Sequence, residues 1–229
     1  MLYASCRDSQ DVGLLAHRGL WRHRHERNTA AALEAALAAG FGIETDVRDC
    51  LGELVISHDM PRGDEATLAS LLDCYTRLGS TAPLALNVKS DGLAEAIRVE
   101  LEFRRIRTAF CFDMSVPDSR SYEALGMRWF ARLSEFETPS AITDLAAGIW
   151  LDTFESTWFD EDTIELWLAR GRDVCLVSPE LHGRPYTPLW NLIHHYLSHA
   201  AGRHSDPTAP RGRLMLCTDF PQAFAGVAA

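Results

Sequence analysis

The stretch Val12–Gly19, which reads VGLLAHRG, joins a short apolar run to a polar ending in His17 and Arg18. Short, nearly continuous apolar runs are typical of strands buried inside a parallel sheet. Seven further runs of this kind follow along the chain, and helix-like segments fill the intervals between them. The sequence therefore predicts a regular alternation of strands and helices.

This alternation predicts an α/β fold of the (β/α)8 TIM-barrel type, with an open doubly wound sheet as the alternative. The eight predicted strands are Val12–His17, Gly42–Val47, Leu84–Lys89, Ala109–Asp113, Trp129–Leu133, Ile149–Asp152, Asp173–Val177 and Leu214–Thr218. The predicted helices are Asn28–Ala39, Thr67–Arg77, Gly92–Arg105, Ser119–Leu125, Ala141–Ala147, Asp160–Ala169 and Pro188–His199. A further run, Leu54–Ser57, predicts a short hairpin excursion after the second strand. We expect one barrel domain over residues 1–229, without a large insertion domain.

Composition and charge exclude several classes of protein. The chain has 229 residues, of which 47% are hydrophobic, and its formal net charge is -10. This acidic balance argues against a nucleic-acid-binding protein, which usually carries a broad basic face. No stretch approaches the roughly 20 apolar residues of a membrane span, and the first residues do not resemble a signal peptide. We therefore expect a cytoplasmic protein, whose oligomeric state the sequence does not indicate.

The cysteines also favour a cytoplasmic protein. The six cysteines are scattered and form no Cys-x-x-Cys pair, and several lie inside apolar runs. This pattern favours reduced, buried thiols over a disulfide framework or a zinc site.

Two carboxylates on the second predicted strand share one face. Glu44 and Asp46 are two residues apart, and side chains at this spacing on a strand point the same way. Asn87 and Lys89 repeat the spacing on the next strand. If both pairs point inward, three oxygen ligands and an ammonium group surround one point, which favours Mg²⁺ or Ca²⁺ over zinc. A buried ion network that includes Lys89 and Arg48 is the structural alternative.

Two histidines accompany this predicted metal site. His17 ends the first strand beside Arg18, whereas His58 ends the hairpin excursion beside Asp59. Imidazoles titrate near neutral pH and can serve as general acid and base, and an arginine suits a phosphate oxyanion. Together with a divalent cation, these groups predict metal-assisted cleavage of a phosphodiester.

These residues also occur in a recognisable order. The chain has His-Arg-Gly at 17–19, Asn-Thr at 28–29 before an alanine-rich helix, Glu-x-Asp at 44–46 and His-Asp at 58–59. This order resembles the glycerophosphodiester phosphodiesterase family, which belongs to a (β/α)8 group with phosphatidylinositol-specific phospholipases C and sphingomyelinase D-like enzymes. The run Cys217–Pro221 is similar to the family's last strand, which commonly ends Thr-Asp-x-Pro.

The resemblance implies a phosphoric diester hydrolase that uses one divalent cation, Mg²⁺ or Ca²⁺. Its substrate would be a small-molecule or lipid phosphodiester, with a glycerophosphodiester as the default. By this resemblance the general acid and base are His17 and His58, the metal ligands are Glu44 and Asp46, and the phosphate-binding residues are Arg18 and Lys89. Asn87, whose spacing places an oxygen at the same point, is the third expected metal ligand.

The chain departs from the family pattern at three places. Arg27 stands where the family usually has a glutamate, and Asn87 stands where the third strand usually has one. The segment Met60–Glu65 is shorter than the insertion that usually follows His-Asp. These changes affect the expected substrate more than the expected chemistry. Four residues are further candidates for the pocket: Trp21, Arg27, Asp113 and Glu180.

Two other functions remain open from the sequence. The first is a lysophospholipase D or sphingomyelinase D-like lipid phosphodiesterase, which keeps the chemistry and changes the substrate. The second is a non-catalytic barrel that binds phosphate or another anion, which Arg27 and Asn87 would suit. His23 and His25 form an HxH motif in a polar loop, which we interpret as a basic rim rather than a metal site.

Overall fold

The computed structural model describes residues 12–199 and 210–226. Its strands are β1 (Gly13–His17), β2 (Gly42–Cys50), β3 (Glu53–Ile56), β4 (Leu84–Val88), β5 (Ala109–Phe112), β6 (Phe130–Leu133), β7 (Gly148–Leu151), β8 (Asp173–Val177) and β9 (Leu214–Thr218). Its α-helices are α1 (Ala30–Ala38), α2 (Leu68–Arg77), α3 (Ala94–Phe103), α4 (Val116–Ala124), α5 (Glu161–Ala169), α6 (Thr187–His199) and α7 (Pro221–Phe224).

The main sheet curves into a nearly closed barrel of eight parallel strands over the described residues, in the order β5-β4-β2-β1-β9-β8-β7-β6. A parallel bridge between Cys111 and Trp129 joins the two ends of this order. β3 pairs antiparallel with β2, which is the predicted hairpin excursion. The predicted (β/α)8 barrel is confirmed.

Two predicted helices differ from the structure. The segment Ala141–Ala147 forms no α-helix but a 3-10 turn at Thr143–Leu145, where the Thr143 hydroxyl accepts a hydrogen bond from the backbone of Ser140. The turn ends at Ala146, whose ψ of 145° is extended, and the Ala147 amide donates to the Trp129 carbonyl at 2.9 Å instead of continuing a helix. α4 begins before the predicted Ser119, because the Ser115 hydroxyl caps it by accepting from the Asp118 amide at 3.2 Å.

The alternation of side chains along each strand separates two apolar layers. One layer lies between the strands and the helices and includes Ile43 and Val47. The other fills the barrel interior and includes Leu15, Ala85 and Cys217. Since side chains two residues apart share a face, the interior face continues from these apolar residues into polar ones at the carboxyl ends of the strands. Those ends form the face that carries the active site in barrels of this type.

The described cysteines are free, and Cys6 lies outside the described residues. Burial raises the pKa of the Cys175 and Cys217 thiols well above the ordinary value. No helix within residues 12–199 or 210–226 is long and apolar enough to cross a membrane.

Candidate active site

His17 is held in the buried wall of the barrel mouth. Its Nδ1 lies 2.6 Å from Oδ1 of Asp219, which follows the neighbouring strand β9. Its Nε2 lies 3.9 Å from Oε2 of Glu44. A carboxylate at Nδ1 favours the tautomer that carries the proton there, so Nε2 is left to accept a proton. The strand pairing of β1 with β2 and β9 therefore sets both sides of this imidazole.

Three oxygen-bearing side chains meet beside His17. Glu44, Asp46 and Asn87 are 2%, 0% and 8% exposed, and Asn87 Nδ2 donates to Glu44 Oε1 at 3.2 Å. Each also has a buried oxygen without a hydrogen-bond donor in the described structure: Glu44 Oε2, Asp46 Oδ1 and Asn87 Oδ1. Buried oxygen atoms without donors are costly unless a cation contacts them.

Burial and charge repulsion disfavour the ionised form of Glu44, although His17, Arg18 and Lys89 act in the opposite direction. Burial, and then the neighbouring Asp46 carboxylate, raise the pKa of Glu44 above its ordinary value. A divalent cation would offset both the desolvation and the repulsion between the two carboxylates.

The donor set fits an oxygen-preferring divalent cation. Two carboxylates and one amide oxygen are ligands that Mg²⁺ and Ca²⁺ accept, with water or substrate oxygens completing the shell. No group of three or more His, Cys, Asp or Glu side chains within the described ranges is placed to hold a metal. At the site described above, the third oxygen belongs to the amide of Asn87, which is not one of these four residue types.

The basic side chains of Arg18 and Lys89 both contact the carboxylate of Asp46. Arg18 Nε is 2.9 Å from Asp46 Oδ2, and Lys89 Nζ is 3.4 Å from Asp46 Oδ1. Lys89 also donates to Asp113 Oδ2 at 3.2 Å. Arg18 and Asp113 have positive φ angles of 58° and 72°, a strained conformation for residues other than glycine that is common at functional sites. The two predicted phosphate-binding cations are thus placed at the carboxylate cluster.

Asn28 supports the cluster in a way that the sequence did not reveal. Thr29 caps α1, and Asn28 instead adopts a φ of 62°, donates to Asp46 Oδ2 at 2.8 Å and accepts from the Thr45 hydroxyl at 2.8 Å. In the sequence, the Asn-Thr pair was one element of the resemblance and had no assigned contact with the site. The signal in the sequence was that asparagine tolerates positive φ more readily than most other residues, which favours a turn at Asn28 rather than the start of the helix.

His58 lies in an open groove that Arg18 also lines. It lies after β3, its side chain is 48% exposed, and its Nδ1 is 2.8 Å from Asp59 Oδ1. The groove has a volume of about 840 Å³, and Arg18 and Arg27 also line it. One predicted catalytic histidine is therefore buried and the other is open to solvent.

The four other pocket candidates take different places. Trp21 donates to the backbone oxygen of His17 at 3.0 Å, and the Arg27 guanidinium lies 4.2 Å from its ring centre. Asp113 accepts from Lys89 and from Arg132.

The fourth candidate, Glu180, supports Asp219 rather than facing a groove. It accepts from the Asp219 amide at 3.1 Å and from the hydroxyls of Ser178 and Thr218.

A further carboxylate–histidine pair lies past the carboxyl ends of β7 and β8. His182 Nε2 is 2.6 Å from Asp152 Oδ1, and the ring of Phe154 lies 4.8 Å from the imidazole. In the sequence, Asp152 ends one predicted strand and His182 follows another. Their pairing is a product of the tertiary fold and has no local signal.

Comparison with known proteins gives the fold. A candidate glycerophosphodiester phosphodiesterase from Galdieria sulphuraria has a TM-score of 0.73 at 13% identity, over 94% of this chain and 97% of that one. The enzyme from Agrobacterium tumefaciens has a TM-score of 0.64 at 18% identity, over 95% and 100%. An Oleispira antarctica phosphodiesterase, solved with sn-glycerol-3-phosphate, has a TM-score of 0.59 at 17% identity, over 93% and 95%.

The chain has the fold of the glycerophosphodiester phosphodiesterases. No family model matches the sequence. No curated protein matches it either. Within the glycerophosphodiester phosphodiesterase fold, the departures at Arg27 and Asn87 lie at the site itself. Arg27 donates to Asp219 Oδ2 at 2.7 Å, and Asn87 contacts Glu44.

Proposed function

We propose that the protein is a divalent-metal-dependent phosphodiester hydrolase that uses His17 and His58 as its acid–base pair. The observation that carries this proposal is the set of three buried oxygens that accept no hydrogen bond, Glu44 Oε2, Asp46 Oδ1 and Asn87 Oδ1. Glu44 Oε2 lies 3.9 Å from His17 Nε2, and Asp46 Oδ1 lies 3.4 Å from Lys89 Nζ. A set of this kind suits a hard divalent cation next to a proton acceptor. The fold supports the same reaction class, because several of the similar structures are phosphodiesterases.

The residues divide the work as follows. Glu44, Asp46 and Asn87 would hold the cation, which would supply positive charge to the phosphoryl oxygens. Asp219 orients His17 so that Nε2 takes the proton of the attacking hydroxyl, either water or a neighbouring hydroxyl of the substrate. His58, which is exposed in the groove, protonates the leaving oxygen. If a hydroxyl of the substrate attacks, the product is a cyclic phosphodiester, which water opens to the monoester in a second step, with His58 taking the proton of the water and His17 returning its proton to the leaving oxygen. In this scheme Arg18 and Lys89 exchange part of their contact with Asp46 for contact with the phosphate.

A small glycerophosphodiester is the default substrate. The Oleispira antarctica phosphodiesterase was solved with sn-glycerol-3-phosphate, which is the monoester that such a cleavage would release. The open groove and the polar wall around Arg18 suit a small, charged ligand.

A lipid phosphodiester is the second candidate, and exposed apolar side chains favour it. Leu51, at the tip of the β2–β3 hairpin, is fully exposed with a φ of 52°, and Met60, Phe136 and Phe220 are exposed on other loops that follow strands. Faster cleavage of a lysophospholipid in micelles than of its soluble glycerophosphodiester would support this candidate.

Replacement of the two histidines tests the reaction. We expect His17→Ala and His58→Ala each to lower kcat about 10²–10⁴-fold on a soluble glycerophosphodiester. His195→Ala is a matched control, because His195 is exposed on α6 and contacts Glu161. A double variant that cleaves as fast as the unchanged protein would refute the proposed mechanism.

A further inference from the structure

The Arg27 side chain is fixed beside the proposed reaction centre with unused hydrogen-bonding capacity. Its Nη2 donates to Asp219 Oδ2 at 2.7 Å, and its guanidinium lies 4.2 Å from the ring centre of Trp21. Its Nε is buried and has no hydrogen-bond partner among the described residues. Asp219 is also shared with His17, so Arg27 has no carboxylate of its own.

Hydrogen bonds within the protein hold the loop that carries Arg27, so the position of the Arg27 backbone does not depend on a bound ligand. The Glu26 carboxylate accepts from the amides of Arg22 and His23 at 2.7 and 2.9 Å. On the other side, the Asn28 amide donates to the Arg18 carbonyl at 3.0 Å. These bonds hold Arg27 ready at the wall of the groove, which reduces the entropy cost of binding.

Like charges surround the Arg27 guanidinium. Burial lowers the pKa of Arg27, and the neighbouring Arg18 and Arg24 lower it further, against the opposing effect of Asp219. Arg24 has no ion-pair partner in the part of the chain that the structure describes. A bound anion would relieve this repulsion and supply an acceptor to Arg27 Nε.

The acidic residues of the groove come from a different segment, 59–65, and most are already engaged. Asp59 contacts His58, and Glu65 accepts from the amides of Arg62 and Gly63. The wall formed by Arg18, Arg24, His25 and Arg27 is basic, and the carboxylate of the neighbouring Glu26 is already engaged by the amides of Arg22 and His23. This wall therefore favours an anionic group of the ligand.

We propose that Arg27, with Arg24, forms a second anion subsite beside the phosphate-binding Arg18, so that the preferred substrate is a phosphodiester whose alcohol carries an additional carboxylate or phosphate. This inference rests on the proposed function and specifies its substrate class. Relative to the pattern that the sequence resembles, arginine in place of glutamate at this position reverses the charge of the side chain near the site. A substrate with a cationic alcohol is disfavoured by the same wall.

Matched substrates test the subsite. The glycolate and ethanol esters of glycerol 3-phosphate differ in a carboxylate against a methyl group, and the 2-phosphoethanol ester tests phosphate in the same place. Because a charge-assisted hydrogen bond contributes about 1.5–3 kcal/mol, we expect kcat/KM to favour the charged esters about 10–100-fold. The ratio between carboxylate and phosphate esters shows which anion the subsite prefers.

Variants of Arg27 assign this preference to the residue. We expect Arg27→Gln to remove most of the ratio, Arg27→Glu to reverse it and Arg27→Lys to retain part of it. If the Arg27 substitution instead disturbed His17, kcat/KM would fall equally for all esters, and the ratio between charged and neutral esters would stay unchanged. Arg77→Gln, which removes an arginine paired with Glu34 on α2, should leave the ratio as it is. Equal kcat/KM for charged and neutral esters, or a ratio unaffected by Arg27→Gln, would overturn the proposal.

A binding measurement separates this proposal from the proposed function. Inorganic pyrophosphate has two linked anionic groups, and its calorimetric titration requires no turnover. We expect Arg27→Gln to weaken its binding at least about 10-fold, while Arg77→Gln does not. If the protein hydrolyses none of the esters but Arg27→Gln still binds pyrophosphate more weakly, the proposed hydrolase activity is refuted and the anion subsite is supported. Equal binding by both variants would refute the subsite.

Discussion

At the scale of single residues, the orientation of His17 depends on one carboxylate. Asp219 Oδ1 lies 2.6 Å from His17 Nδ1, and Glu180 holds the Asp219 amide from behind. We predict that Asp219→Asn lowers kcat about 10–100-fold, because the amide holds the imidazole less well in the required tautomer. Steady-state kinetics on a soluble phosphodiester measure this.

Asp152→Asn is the comparison for that variant. It weakens a similar carboxylate–histidine pair, with His182, on other strands of the same barrel mouth. A loss of kcat as large as that of Asp219→Asn would contradict the particular role of Asp219.

Glu44 links the stability of the protein to metal binding. Glu44→Gln removes a buried charge beside Asp46, so we predict that the metal-free variant gains about 1 kcal/mol or more in free energy of unfolding. The variant should also lose the rise in Tm that Mg²⁺ or Ca²⁺ gives the unchanged protein. Thermal unfolding with and without metal measures both. An equal metal-induced rise in Tm for the two proteins would contradict Glu44 as a ligand.

The same substitution predicts a pH dependence with a definite sign. The folded protein raises the pKa of Glu44, so the folded state binds this proton more tightly than the unfolded state does. The contribution of Glu44 to stability is therefore present at low pH and lost as pH rises through the raised pKa. We expect the metal-free protein to lose stability relative to Glu44→Gln over that rise. A constant difference in free energy of unfolding would contradict the raised pKa.

Residue types and spacing predicted the centre of the candidate site but not its supports. The two-residue spacing of Glu44 and Asp46 was enough to place both carboxylates on one face, and the structure brings Asn87 against them. The sharing of Asp219 by His17 and Arg27 joins positions about two hundred residues apart, so no local pattern encodes it. The roles of the candidate residues in binding and catalysis stay predictions.

At the scale of elements, the turn from β1 into α1 fixes the site. Gly19 has a φ of 91°, and a Cβ on it would lie 2.5 Å from the backbone carbon of Ala32 in α1. We predict that Gly19→Ala lowers the free energy of unfolding by at least about 2 kcal/mol, from strain and overlap together. Urea unfolding measures the loss.

Gly40→Ala is the matched control at the other end of α1. Gly40 has a similar φ of 83°, but a Cβ there would meet nothing within 4 Å. We expect a loss of about 1 kcal/mol, from backbone strain alone. Equal losses for the two variants would show that close approach of α1 to the first turn is unimportant.

Sequence patterns located most elements because strands and helices here differ in length and period. Capping residues such as Thr29 and Ser115 set helix starts, and the choice among neighbouring candidates depends on which hydroxyl reaches the first turn. The segment Ala141–Ala147 was wrongly predicted as a helix, because alanine content indicates propensity but does not show that the Ala147 amide bonds to the distant Trp129 carbonyl.

At the scale of the whole molecule, the barrel has one weak seam. β5 and β6 are connected by the bridge between Cys111 and Trp129, whereas the other neighbouring strands share continuous ladders. A cavity of about 260 Å³, lined partly by Ala131 and Arg132, lies at this seam. The alternation of strands and helices predicted the barrel, but closure depends on strand lengths and side-chain volumes that no local pattern contains.

Hydrogen exchange measures the seam. We predict that amides of β5 and β6 exchange faster than those of β1, β2 and β9, because less of their backbone is paired across the sheet. Exchange followed by mass spectrometry compares these strands directly. Equal protection around the barrel would contradict a seam between β5 and β6.

The central claim is that the barrel mouth is a metal-dependent phosphodiesterase centre, and one measurement tests it most directly. ³¹P NMR follows a glycerophosphodiester in the presence of the purified protein, first with a chelator and then with Mg²⁺ or Ca²⁺. The account predicts that the diester signal converts to a phosphomonoester signal only when the cation is present. A diester signal that stays unchanged with either cation while the protein is folded, or conversion that proceeds equally with the chelator, would contradict it.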